Sequence, residues 1–365
     1  MVNSSAAASS AAFDNALAGE TPQAIVPERF SFTGSGSEYF RIWIVNLLLT
    51  ILTLGISSAW AKVRRNRYFY DNTKVAGSSF EYHGNPFSIL KGRIVVVLFF
   101  AAYNLAFLYS EAVGFVMLLV LVALGPWLLW KSLQFKLYNS SYRGIRFGFR
   151  GSAGRVYFVY LLLPILTGLS LYLLTPFTHQ RIKKFQHEES RYGASHFSFH
   201  ASAGEFYKAY LICFLIMAAG SVLIVWAFGG TLAGMAKGRQ VTGAGVMSFA
   251  LFLFALYVWM FALFPIFLTL IQNLIWNHTR LDEHRFKSEM KPVRMVFIML
   301  TNIIGIVLTL GLFIPFAQIR ALKYRIESMI LVPASSLDTF IAGEQEQASA
   351  TGEGAADLLD FDLSL

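Results

Sequence analysis

Hydrophobic and polar positions along the chain organise themselves on two length scales. On the long scale, uncharged apolar runs cover residues 42–61, 156–180 and 295–319; two longer regions cover 94–130, interrupted by Glu111, and 209–277, interrupted by Lys237 and Arg239. A bilayer core of about 30 Å takes roughly 20 apolar residues in a helix. The three shorter runs therefore predict one crossing each and the two longer regions two each, about seven transmembrane helices in all. On the short scale, an alternating Phe-x-Phe/Tyr motif recurs as Phe30/Phe32, Phe80/Tyr82, Phe147/Phe149 and Phe197/Phe199, followed after one residue by Gly34, Gly84, Gly151 or Ala201. Period-two alternation of this length reads as a short strand.

A second motif ends each apolar region. Its copies are AWAKVRRNRY from Ala59, PWLLWKSLQF from Pro126, PFTHQRIKKF from Pro176, PIFLTLIQNL from Pro265 and PFAQIRALKY from Pro315. The step from its last residue to the next unit's Phe is twelve each time: Tyr68 to Phe80, Phe135 to Phe147, Phe185 to Phe197 and Leu274 to Phe286. From Phe to Ala or Pro the step is twenty-nine for Phe30 to Ala59, Phe147 to Pro176 and Phe286 to Pro315, and longer in the other two. Self-similarity at this spacing predicts five related units, 29–79, 80–145, 146–195, 196–284 and 285–330, alternating short and long. The expected fold is an all-α polytopic membrane protein with short β-like connectors.

Two arguments about topology conflict. Single crossings in the short units put the basic connectors on both faces, with a weak positive-inside bias. Turning each short unit back at its Thr-Leu-Gly (Thr53 to Gly55, Thr309 to Gly311) or Thr-Gly would place every Lys and Arg except Lys237 and Arg239 on one face. In unit one, however, the returning arm would carry Lys62, Arg64 and Arg65 near the bilayer centre, at roughly 2.5–3.5 kcal/mol each. That cost favours single crossings and seven spans.

Composition fits a lipid solvent: 56% of the 365 residues are hydrophobic and 14% charged, far below the roughly 25% charge of soluble domains. The net charge of +9 comes from residues flanking the apolar runs, so the expected partners are membrane lipids, anionic ones above all, and not nucleic acid. Residues 1–28 are Ser/Ala-rich without Lys or Arg and predict a disordered tail; 331–365 predict an acidic disordered one. The single cysteine, Cys213, lies in an apolar run and supplies neither a disulfide nor a metal site.

The candidate functional residues are basic and recur at helix exits. Lys62, Arg64 and Arg67, Lys131, Arg181 and Lys184, and Arg320 and Lys323 are spaced to share helix faces beyond the hydrocarbon. They read either as contacts for anionic headgroups or an anionic solute, or as ordinary snorkelling anchors. Asn46 and Asn302 fall mid-span at matching offsets, where an amide needs an interhelical partner or a polar path. His196 and His200 would share a strand face near His187 and Glu188, but HExxH and cysteine ligands are lacking, so no metal and no cofactor are expected. Glu111 reads as a loop carboxylate. No nucleophile elbow, phosphate loop or paired buried carboxylates suggest an enzyme.

The stretch FSFTGSGSEYFRIWIVNLLLTILTLGISSAWAKVRRNRYFYDNTKVAG closely resembles the bacterial YjgN family, a domain of unknown function, over roughly residues 29–330. The resemblance implies a multi-pass bacterial inner-membrane location and no particular activity. The leading functional expectation is a transporter or channel for a small or anionic solute or lipid. The alternative is a non-transporting membrane scaffold or envelope-maintenance protein that binds anionic lipids or partner proteins.

Overall fold

A computed structural model describes residues 26–237 and 243–350. Its organising element is a sheet. Strands β1 (Glu28–Arg29), β2 (Ser31–Phe32), β3 (Thr73–Val75), β4 (Ser78–Tyr82), β5 (Ser140–Tyr142), β6 (Ile145–Phe149), β7 (Ser190–Tyr192), β8 (Ser195–Phe199), β9 (Thr279–Leu281), β10 (His284–Ser288) and β11 (Met329–Val332) pair antiparallel in the order β1-β11-β10-β9-β8-β7-β6-β5-β4-β3-β2. Only Phe30 separates β1 from β2, so this one extended segment pairs with β11 along one edge and β3 along the other, and the sheet closes into a barrel. Closure leaves no free edge. The tight turns carry their own signal: Ala76 and Gly77 have φ of 45° and 75°, and Arg143 and Gly144 of 47° and 79°, the doubly positive φ of two-residue hairpins that match strand twist.

The alternation points the aromatic residues inward. In register, Phe80 faces Tyr142, Phe147 faces Tyr192, Phe197 faces Leu281 and Phe286 faces Leu331. Phe30, Phe80, Phe147, Phe197 and Phe286 stack in sequence around the interior, with ring centroids 6.3, 6.3, 6.5 and 6.2 Å apart. Val75, Tyr142, Ile145, Tyr192, Leu281 and Leu331 complete this core.

Helices leave the barrel in pairs. They are α1 (Gly36–Leu52) with α2 (Ser58–Asp71), α3 (Pro86–Tyr109) with α4 (Glu111–Tyr138), α8 (Ala203–Ala236) with α9 (Gly243–Asn277), and α10 (Pro292–Leu308) with α11 (Ile314–Glu327). The remaining pair sets α5 (Ala153–Tyr157), a π-turn (Phe158–Leu162) and α6 (Leu163–Leu169) against α7 (Thr175–Glu188). Starts are marked by caps: the Ser35 hydroxyl accepts from the Glu38 N–H, and the Asn85 side chain from that of Phe87, behind Pro86. Neighbouring pairs touch (α2 on α3, α4 on α5, α7 on α8, α9 on α10), and α11 returns to α1, so the helices ring the same axis as the barrel.

Two expectations are corrected. The fold is not all-α: the strands taken for separate connectors pair with one another. Nor are there about seven spanning helices. Among the described residues four, Pro86–Tyr109, Glu111–Tyr138, Ala203–Gly234 and Gly243–Asn277, are long and apolar enough to cross a membrane. The short units turn back because Thr-Leu-Gly is a helix stop. Leu54 and Gly55 take φ of 49° and 94°, the Gly55 N–H bonds the Thr50 carbonyl, and the Thr53 hydroxyl accepts from Ser57 N–H to start the next helix. Leu310, Gly311 and Thr309 do the same, as do Leu171, Tyr172 and Ser170.

The segment expected as an acidic disordered tail supplies the end of β11 and then α12 (Leu337–Ala350). Ile341 of α12 is buried in the barrel core, with Phe340 stacked on Tyr192 and edge-on to His284. Arg143 pairs with Asp338 at 2.6 Å, so the helix lies over the turn end of the barrel. The tails expected over 1–25 and 351–365 lie outside the described residues.

Candidate functional site

The basic residues at the helix exits do not form one ring. Lys184 and Lys323 pair along their own helices with Glu188 (3.6 Å) and Glu327 (3.7 Å). Lys131 lies over the Trp130 ring at 5.6 Å and Arg181 over Phe177 at 4.9 Å, contacts of cation and aromatic face. Arg320 donates to the Asn302 Oδ1 at 2.8 Å and the Thr301 hydroxyl at 3.0 Å. Arg64 and Arg67 are exposed on α2, with Arg67 in the field of Asp71.

Lys62 is different. It lies within electrostatic reach of Arg65, Arg93 and Lys136, and Lys136 in turn within reach of Lys183. These five cations come from three adjacent helix pairs: Lys62 and Arg65 from α2, Arg93 from α3, Lys136 from the last turn of α4 and Lys183 from α7. Arg93 donates to the Ser58 hydroxyl and Lys183 to the Gln186 Oε1. No carboxylate among the described residues is within ion-pair distance of any of the five. Arg65, Arg93, Lys136 and Lys183 are not among the candidates read from the sequence, although Lys136 immediately follows the exit motif and Arg65 and Lys183 lie within it. What links them is helix packing, which spacing along the chain does not carry.

The mid-span amides separate. Asn302 is buried, donates to the Ala317 carbonyl at 3.0 Å and accepts from Arg320. Asn46 is equally buried, and its Oδ1 has no partner among the described residues. Glu111 begins α4 beside the Ser110 turn, and Cys213 is a free thiol on α8.

The histidines do not converge. His187 stacks on Phe199, meets Trp276 edge-on and contacts the Thr279 hydroxyl at 3.3 Å, whereas His196 contacts Arg191 and His200 the Ser198 hydroxyl. Burial, and then Lys183, lowers the His187 imidazole to about 4. Burial likewise lowers His284, against the opposing pull of Asp282 and Glu283. Among the described residues no three His, Cys, Asp or Glu gather as metal ligands.

Comparison with known proteins supplies the family. Residues 27–358 match the family described as "Bacterial protein of unknown function (DUF898)". The chain is similar to proteins named "Inner membrane protein YjgN": 33% identical over 143 residues in Salmonella typhimurium (strain LT2) and 36% over 148 residues in Escherichia coli (strain K12). Each alignment covers 39% of this chain and 36% of the relative, so the matched part spans about a third of those proteins' length. No solved structure matches the chain. The resemblance to YjgN proteins read in its first unit thus holds, and the chain belongs to the DUF898 family of bacterial proteins.

Proposed function

We propose that this chain is a multi-pass inner-membrane protein made of five copies of one hairpin unit, and that it binds and transports anionic lipids or small anionic solutes at the cluster of Lys62, Arg65, Arg93, Lys136 and Lys183. The observation that carries the reading is the lack of a counter-charge: five cations from neighbouring hairpins share one region, and no described carboxylate pairs with any of them. Like charges held together beside an apolar medium repel strongly, and a phosphate or carboxylate from outside relieves that repulsion. Four long apolar helices and relatives named as inner-membrane proteins support the location. The constant twelve-residue step from each exit motif to the next Phe and the inward stack of those Phe rings support the five-unit origin.

The test is reconstitution of the full chain into vesicles. Fluorescent phosphatidylglycerol should exchange between leaflets faster than phosphatidylcholine, or trapped phosphate should escape faster than from protein-free vesicles. Lys62→Gln with Lys136→Gln should slow whichever process occurs several-fold. No acceleration of either process sinks the transport reading. The second reading, a non-transporting scaffold, draws on α12, which covers the turn end of the barrel; it gains if the chain retains anionic lipid through purification yet moves none.

A further inference from the structure

Each helix pair presents apolar side chains outward over a definite height, and the heights fall into two classes. On the long pairs, exposed apolar residues run from Ile94 to Tyr109, Val113 to Leu129, Leu211 to Trp226 and Val246 to Phe264. At 1.5 Å per residue these bands are about 22–27 Å tall, enough for a tilted crossing of a core of about 30 Å. On the short pairs the bands beyond the last charge of the outgoing arm run from Val45 to Leu54, Phe158 to Leu171 and Phe297 to Leu310, with Val293 exposed below Arg294. These are only about 14–20 Å tall, close to the thickness of a single leaflet.

Among the described residues, the tips of the short pairs carry the two most exposed large apolar side chains, Leu54 and Leu310. Leu54 and Leu310 are each 95% exposed and Leu171 84%, with Leu52, Leu308, Leu169 and Leu173 beside them. Contiguous apolar surface of this kind is costly in water and marks a lipid or protein contact. On the outgoing arms charges sit low, the last before the turn being Arg41 on α1 and Arg294 on α10, about 17 and 21 Å from the helix ends, whereas on the returning arms Lys62 and Arg181 lie about 6 and 9 Å from the starts of α2 and α7. Arg320, about 9 Å from the start of α11, keeps its charge and is held by hydrogen bonds to Asn302 and Thr301. The backbone reversals are internally satisfied, Gly55 and Gly311 N–H groups bonding the Thr50 and Ile306 carbonyls, as a turn at membrane depth requires.

We infer that the three short pairs are re-entrant wedges whose apolar occupant is the acyl region of one leaflet, the leaflet on the barrel side, and that they end near the bilayer midplane. The two long pairs alone continue into the opposite leaflet. That leaflet therefore meets four helical arms where the barrel-side leaflet meets ten, and lipid of the far leaflet rests on the tips at Leu54, Leu171 and Leu310. The inference does not rest on anion binding or transport, and lipid-exchange or efflux results leave it untouched.

The experiment places single cysteines in the full chain with Cys213→Ser: Leu54→Cys, Leu171→Cys and Leu310→Cys at the tips, Ser110→Cys and Lys237→Cys at the long turns, and Glu283→Cys at the barrel. High exposure of the tip residues makes these substitutions compatible with folding. In sealed vesicles of known orientation, an impermeant maleimide should label Glu283→Cys from one face and Ser110→Cys and Lys237→Cys from the other, and the tips from neither. A fluorophore attached at the tips in detergent, followed by reconstitution, should be quenched several-fold more by lipids brominated near the acyl terminus than near the headgroup. Tip labelling from the face opposite Glu283→Cys overturns the inference in favour of full crossings. Tip labelling from the Glu283→Cys face, or tips shielded from brominated lipid and cross-linked to a second copy, overturns it in favour of a water-side or protein contact.

Discussion

Glu344 reaches from α12 to clamp Ser195: its carboxylate accepts the Ser195 hydroxyl at 2.6 Å and the N–H groups of Ala194 at 2.6 Å and Ser195 at 3.3 Å. The residue is 5% exposed, and a buried carboxylate is tolerable because donors surround it. Glu344→Ala leaves those donors unpaired and should weaken the docking of α12 by about 1–3 kcal/mol. The check is hydrogen exchange: amides of 337–346 should lose protection while those of β7 and β8 keep most of theirs. Unchanged protection would show that Ile341 and Phe340 hold the helix alone.

Asn46 and Asn302 occupy matching offsets but different energetic situations. Asn302→Leu removes one of the two acceptors of Arg320, leaving it Thr301, and the donor to the Ala317 carbonyl, and should lower stability by about 1–3 kcal/mol, read as an earlier thermal transition of the detergent-solubilised chain. Asn46→Leu removes an unpaired carbonyl oxygen and should be neutral or stabilising. Equal losses from both would contradict the assigned partners.

Acidification should loosen the contact of α7 with the barrel. His187 titrates at about 4 in the fold against 6.5 ordinarily, so between those values the unfolded chain binds the extra proton. Its contribution is present above about pH 6.5 and is lost as pH falls toward 4, at no more than about 1.4 kcal/mol per pH unit. His187→Phe should flatten the stability profile between pH 6.5 and 4 relative to the parent. A profile with the same slope would assign the effect elsewhere, His284 first.

Gly220 lets α8 and α9 approach. A Cβ there would lie 2.0 Å from the Trp259 ring, whose Nε1 donates to the Met217 carbonyl at 3.2 Å. Small residues permit such contacts between membrane helices. Gly220→Leu should cost about 1–3 kcal/mol, seen as a lower unfolding temperature, and Trp259→Ala in the same chain should recover part of it. No recovery would place the strain outside this pair.

The barrel was half legible in the sequence. Alternation at Phe80/Tyr82 or Phe197/Phe199 marks a strand, but a strand of five residues does not name its partner; Phe80 facing Tyr142 is a relation across 62 positions that local period cannot contain. The turn-back of the short helices is written at Thr53-Leu54-Gly55, and the cost of Lys62, Arg64 and Arg65 near a bilayer centre weighs against it. Packing does not relieve that cost, since Lys62 lies in the field of Arg65, Arg93 and Lys136, like charges that add to it. Spacing along the chain also hides four of the five clustered cations as candidates, Arg65, Arg93, Lys136 and Lys183, because helix packing brings them together. Glu344 was invisible because an acidic, Ala- and Gln-rich stretch carries no sign of the hairpin it will cover.

The seam of the barrel lies between the first and last strands, where Glu28 and Arg29 pair with Leu331 and Ile330. During synthesis the segment around Phe30 can pair with β3 early, but its other edge waits until residue 332 has left the ribosome, some 300 positions later. Throughout that interval the growing assembly is an open arc with two unpaired edges, the state most exposed to wrong partners. Truncation before β11 therefore does more than shorten the protein; it leaves the arc permanently unzipped.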